Sequence, residues 1–248
     1  MGSPRIFVGT LACGEAEFND CCRAIATQKD VDTTHHVITD QPELEAHNQL
    51  WKAWGRAKAV CDLFVKIDAD TVLSRPTALA EIAALFSNPA VTGAQILLHD
   101  YFTDRLIAGL NAFSPAVIFR QSSRRLFADH ADFNHQVVLK GDAVAHLAPI
   151  GWHCTYPHPR QAFHFGLHRA LKKQKDVIKQ CAIVWLKKRD APRSWALTGA
   201  IAAGWRLRSH FDYGDERFEA SFSRYTSDEM RLEAVEVFAQ SVVKGYSH

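Results

Sequence analysis

Two aspartates close an apolar run in the stretch Leu63-Phe64-Val65-Lys66-Ile67-Asp68-Ala69-Asp70-Thr71-Val72-Leu73. A buried strand accounts for the run but not for Asp68 and Asp70. Carboxylates at a strand's C-terminal end, set among Val65, Ile67, Val72 and Leu73, are costly unless something of opposite charge meets them. A divalent cation is the simplest partner. Hard oxygen ligands suit Mg2+ or Mn2+, above all where a diphosphate completes the shell.

Such a pair needs a scaffold. Arg5–Ala12 reads as a first strand, followed by a helix over about Glu15–Gln28. His35–Thr39 is a second strand ending at Asp40. Glu43–Cys61 has helical periodicity, with Leu44, Trp51, Trp54 and Cys61 on one face. Leu63–Ile67 is the third strand. Ser74 has the chemistry of an N-cap, with Pro76 in the first turn of a helix to about Phe86. Three strand–helix repeats predict a parallel sheet with helices on both faces. Val91–Leu98, Ala116–Arg120 and Gln136–Lys140 are weaker strand candidates. A long basic helix is expected over about Gln161–Lys188 and a terminal one over Ser227–Val243. In open parallel sheets ligands sit beyond the carboxyl ends of the strands, which is where Thr10, Asp40 and the Asp68/Asp70 pair fall.

This order resembles the nucleotide-sugar glycosyltransferases of the GT-A type. The resemblance is carried by Ile6-Phe7-Val8-Gly9-Thr10, by His36-Val37-Ile38-Thr39-Asp40, and by Val65-Lys66-Ile67-Asp68-Ala69-Asp70, which matches the family's DxD motif in its family-2-like setting. It covers residues 5–100 well and the rest loosely. It implies a GT-A-like α/β fold: a mixed, mostly parallel sheet flanked by helices, with residues 1–158 as nucleotide-sugar and metal-binding core and 159–248 as a helical C-terminal extension packed on it. It implies Mn2+ or Mg2+ as cofactor. Asp70 would bind the metal directly, and Asp68 would bind it or contact the ribose or a metal-bound water. Thr10, Asp40 and Lys66 would line the donor pocket. Asp40 followed by Pro42 and Glu43 also suits a helix N-cap, and both roles are open. GT-A enzymes often add a downstream His; His153 in Gly151-Trp152-His153-Cys154 is the candidate, with His158, His164 and His168 as rivals.

The implied reaction is transfer of a sugar from a nucleoside-diphosphate donor, UDP or GDP, to a hydroxyl of a glycan or lipid-linked acceptor. Surface polysaccharide or glycolipid synthesis is the setting that fold analogy suggests. An inverting enzyme needs a general base; Asp129 in Phe127-Ala128-Asp129-His130 is favoured, with Asp100, Asp104 and Asp132 as alternatives. A retaining enzyme needs none, and residue order does not separate the two. Tyr101 or Phe102 could stack on a sugar ring or belong to the core. His164-Phe165-Gly166-Leu167-His168-Arg169 reads as a flexible segment closing over the diphosphate, where His164, His168 and Arg169 could stabilise the leaving phosphate. The i, i+4 spacing of His164 and His168 can bind zinc, but Phe165 stands where a zinc hydrolase carries Glu.

Bulk properties narrow the alternatives. With 248 residues, 47% hydrophobic and 10% aromatic, the chain is globular. No apolar run approaches a membrane span, and the opening residues lack a signal-peptide layout. Six Cys at irregular spacing predict mostly reduced thiols in a cytoplasmic protein. Net charge is only +2, yet Arg160–Arg189 carries nine Lys/Arg and one acid, Asp176. That run suits a solvated helix face or peripheral contact with the inner face of an anionic membrane. No nucleic-acid module accompanies it, so nucleic acid is not an expected partner. The glycine-rich phosphate loops GxGxxG and GxxxxGK[ST] are absent. A nucleotidyltransferase on a related fold is the second enzymatic candidate, and a non-catalytic nucleotide- or glycan-binding protein the third.

Overall fold

The computed structural model describes residues 2–123, 137–206, 216–225 and 228–245. The chain divides into two compact units, residues 1–101 with 105–155 and residues 102–104 with 156–248.

The first unit is built on a sheet covered on both faces. In β1 (Arg5–Ala12), Ile6 and Val8 point to one side, where they join Val65, Ile25 of α1 (Phe18–Ala26), and Leu79 and Ile82 of α3 (Ala78–Ala84). Phe7 points to the other, against Leu50, Trp51 and Trp54 of α2 (Glu43–Ala57). Burial on both faces is why β1 and β3 (Leu63–Lys66) read as continuous apolar runs rather than alternating ones. The remaining strands are β2 (Asp32–Thr39), β4 (Thr71–Leu73), β5 (Gly93–Asp100), β6 (Arg105–Phe113), β7 (Val138–Leu139) and β8 (Gly151–His153), in the order β2-β1-β3-β6-β5-β8-β4 with β7 on β5.

Three features depart from the sequence reading. The sheet is mixed, as the resemblance implied, rather than the parallel sheet that the strand–helix repeats predict, since β3–β6, β5–β6 and β4–β8 pair antiparallel beside four parallel pairings. Residues 101–104 reverse the chain, with Asp104 left-handed at φ 55°, and make β5–β6 a hairpin. Ala116–Arg120 is not a strand; Phe119 instead stacks flat on Trp51 at 4.4 Å. Ser74 is not an N-cap: it follows β4, and its Oγ donates to the Ile150 carbonyl at 3.0 Å.

The second unit is helical, with α4 (Pro159–Leu171), α5 (Lys175–Lys188), α6 (Ala191–Arg206), α7 (Glu216–Ser223) and α8 (Asp228–Lys244). The expected single helix over 161–188 is two. Lys173 takes the left-handed conformation at φ 58°, its N–H donating to Ala170 O and that of Gln174 to Arg169 O. This is a Schellman end, and Lys stands where Gly would have announced it. Among the described residues no helix is long and apolar enough to cross a membrane.

Candidate metal centre

After β3 the chain turns through Asp68–Asp70, with the Thr71 N–H donating to Asp68 O at 2.9 Å. It then runs back as β4, which pairs with β8 so that Thr71 lies opposite His153 and Leu73 opposite Gly151. A Cβ on Gly151 would stand 2.7 Å from Val72 O, so the approach of the two strands depends on glycine there. Cys154 leaves β8 in the left-handed region at φ 53°, and its N–H donates to Asp70 O at 2.8 Å. Non-glycine residues in this region cost on the order of 1 kcal/mol and collect at functional sites.

The turn and the strand end bring three unlike donors together. His153 Nε2 is 3.5 Å from Asp70 Oδ2. Cys154 Sγ is 3.1 Å from the same oxygen and 3.6 Å from His153 Nε2. Behind the imidazole, Asp100, 1% exposed, accepts from His153 Nδ1 at 2.7 Å. That bond places a ring proton on Nδ1, so that in the neutral imidazole the Nε2 lone pair faces Asp70 and Cys154, the carboxylate–histidine arrangement that orients metal ligands. Asp70 Oδ1 and Thr71 Oγ1 are buried without a hydrogen-bond partner, a costly condition unless something further binds. Burial first, and then the Asp70 charge, push the Cys154 thiol well above the ordinary range. More acid stands near. Glu15, in the loop after β1, is pushed up to about 7, chiefly by burial and further by Asp70 and Asp68, against the pull of the Cys13 N–H it accepts from. Glu17 is fully buried. An O, N, S donor set with an oriented imidazole, an orphaned carboxylate oxygen and surplus negative charge fits a divalent cation.

The residues singled out from sequence fall into three groups. Asp70 and His153 come together. Cys154 completes their cluster in place of Asp68, whose Oδ1 is ion-paired with Lys66 Nζ. The surrounding protein works to raise the Asp68 pKa and Lys66 more than reverses it, leaving the carboxyl below its ordinary value. Asp100 belongs to the cluster, but as the buried partner of His153 rather than a solvent-facing base. A second group stays in the first unit. Thr10 is fully buried, its Oγ1 3.0 Å from His35 Nε2. Asp40 is exposed at the end of β2, left-handed at φ 54°, and makes no cap bond; Pro42 holds the N-cap position of α2. The third group lies in the second unit. His158 caps α4, its Nδ1 accepting the Gln161 N–H. His164, His168 and Arg169 sit within α4, so the segment expected to be flexible is helix. The two imidazoles stack at 5.4 Å, and Arg169 lies over Phe165 and donates to Gln174. Phe102 is core, stacked on Phe165 at 4.0 Å, and Asp104 pairs with Lys188. Asp129 and Asp132 lie outside the described residues. Sequence reading passed over Glu15, Glu17 and Cys154 as parts of this cluster. The adjacency of Cys154 to His153 was the one available signal.

Fold and site together define a mixed α/β protein with a candidate cation site at a strand end. No protein-family model and no curated protein matches the chain. Among solved structures it is similar to "Mannosyltransferase PcManGT from Pyrobaculum calidifontis in complex with GDP-Man and Mn2+", at 15% identity and a TM-score of 0.39, over 99% of this chain and 88% of that one. Likeness at that level carries no conclusion about this chain.

Proposed function

We propose that this chain is a divalent-cation-dependent glycosyltransferase moving a sugar from a nucleoside diphosphate, UDP or GDP, to a hydroxyl of a glycan or lipid-linked acceptor. The observation that carries this is the meeting of Asp70, His153 and Cys154 just beyond β3, whose parallel pairing with β1 makes this a strand-end rim. Asp70 and His153 would hold the cation, which when bound supplies charge neutralisation for a departing diphosphate. Asp100 fixes the tautomer and direction of His153. Asp68, held ionised by Lys66, is an acceptor for donor hydroxyls, and Lys66 supplies positive charge on the phosphate side. Thr10 and Asp40 lie on the nucleoside side, and Thr10 acts through His35, since its own hydroxyl is buried. Asp129 is the proposed base if the reaction inverts. Asp100 is withdrawn from that role because it is buried behind an imidazole.

Calorimetric titration with UDP, GDP and CMP, with and without Mn2+, tests this. One nucleoside diphosphate should bind only when the cation is present, and its sugar conjugate should be turned over. Tight binding of a nucleoside triphosphate with pyrophosphate release would replace the proposal with a nucleotidyltransferase. No nucleotide binding at all would leave a binding protein without this chemistry.

A further inference from the structure

The three donor atoms form a closed triangle, Asp70 Oδ2, His153 Nε2 and Cys154 Sγ, with sides of 3.1, 3.5 and 3.6 Å. A tetrahedral zinc-type centre, with metal–sulfur near 2.3 Å and metal–nitrogen and metal–oxygen near 2.1 Å, has edges of about 3.4–3.6 Å. The two sides at His153 Nε2, 3.5 and 3.6 Å, already match, and the Asp70 Oδ2–Cys154 Sγ side, 3.1 Å, is about half an ångström shorter than a metal-bridged edge. The other carboxylate of the turn, Asp68, is committed to Lys66, whereas the Cys154 thiol is aimed at the Asp70 oxygen by its left-handed backbone and its N–H bond to Asp70 O. We propose that Cys154 is a thiolate ligand of this centre, so that the Asp–His–Cys face selects thiophilic cations such as Zn2+ and Co2+ over Mg2+ and Mn2+.

The inference rests on the cation site proposed above and changes what it prefers. On binding, the Cys154 S–H bond breaks, its proton passes to the buffer, and a sulfur–metal bond forms; nothing is oxidised or reduced. Thiolate is a soft donor and poorly matched to Mg2+, while imidazole and carboxylate suit Zn2+ and Co2+ as well as Mn2+. At 1% exposure Cys154 is closed off from bulk thiol chemistry, so a metal reaching Asp70 and His153 is its natural partner.

The test is an anaerobic titration of the reduced full chain with Co2+, followed by absorption. One equivalent should produce an intense near-ultraviolet thiolate-to-cobalt charge-transfer band together with visible bands of a four-coordinate ion. Cys154→Ser should abolish the charge-transfer band and weaken Zn2+ binding at least about tenfold, with Mn2+ binding changed less than about threefold. His153→Ala, which keeps the thiol, should lose the band as well, and circular dichroism of both variants should match the parent. A band that survives in Cys154→Ser arises from another cysteine and overturns the proposal, as does Co2+ binding without a band. The same samples are titrated with nucleoside diphosphate and Mn2+. Cation-dependent nucleotide binding without a thiolate band sinks only the thiolate; no cation binding of any kind sinks the site as well.

Discussion

Asp70 is the residue on which most depends, because one of its oxygens meets His153 and Cys154 and the other is buried with no partner. Replacing it with Asn removes the charge while keeping the shape. Cation-dependent nucleotide binding should disappear, while thermal unfolding without metal stays within about 1 kcal/mol of the parent or moves upward, since an uncompensated buried charge is removed. Asp100→Ala keeps every direct ligand but frees the His153 ring. Cation affinity should fall about 10- to 100-fold by calorimetry, the usual cost of losing such an orienting carboxylate. Glu15 makes a pH prediction. Its folded pKa, about 7, lies above the ordinary 4.5. The protonated form is therefore favoured by the fold, and its stabilising contribution, full below 4.5, is lost as pH rises through 7. Glu15→Gln mimics that form. Urea melts of the metal-free protein should show the variant more stable by about 1 kcal/mol at pH 8, the burial being partial, and equal to the parent at pH 4.

At the level of elements, the approach of β4 to β8 makes the site, and Arg75 ties down the segment leading into β8. Its guanidinium donates to the carbonyls of Leu147 and Pro149, while Glu81 of α3 holds it through paired hydrogen bonds. The hydrogen bonds from Arg75 lower the Glu81 pKa to about 2, with Thr77 helping. A depressed carboxyl stabilises above its unfolded pKa of about 4.5 and loses that contribution as pH falls toward 2. Glu81→Gln should thus cost about 1 kcal/mol at pH 7 by denaturant titration, after solvent screening, with the difference shrinking below about pH 4.5 and vanishing only below about pH 2. In the second unit α4 and α6 touch backbone to backbone. A Cβ on Gly166 would lie 1.6 Å from Ala196 O, and one on Gly199 would lie 2.0 Å from Phe163 O. Gly166→Ala should cost about 3 kcal/mol or more, read as a lowered denaturant midpoint with unchanged slope. Residues 164–169 read as a flexible segment in sequence, whereas Gly166 serves a close helix crossing, which also calls for a residue without Cβ.

Across the whole chain, what the sequence disclosed and what it hid divide by range. β1, α2, β3 and the terminal helix were legible because hydrophobic periodicity is local. The Asp68/Asp70 turn was legible because two carboxylates after an apolar run are chemically expensive. β6 was not: Gly109 and Asn111 interrupt it, and its order comes from pairing with β3 and β5. Nor was the union of Asp70 with Cys154, which depends on an antiparallel β4–β8 pairing that no spacing in the chain announces. The exchange of Asp68 for Cys154 follows from Lys66, whose charge is committed two residues away. All six cysteines are free, as their irregular spacing suggested, so reducing agent should leave the midpoint of thermal unfolding of the full chain unchanged. The positive run of 160–189 is broken between α4 and α5 and partly neutralised, Arg160 by Glu219, Lys188 by Asp104 and Arg189 by Glu236.

The proposed function stands or falls on a divalent cation held where Asp70 meets His153. The most direct measurement is diffraction from crystals soaked in Mn2+ and, separately, Co2+, recorded on both sides of each metal's absorption edge. A single anomalous peak is expected within bonding distance of Asp70 Oδ2 and His153 Nε2. Maps with no peak there, or with the metal bound elsewhere and the Asp70–His153 contact unchanged, would contradict it.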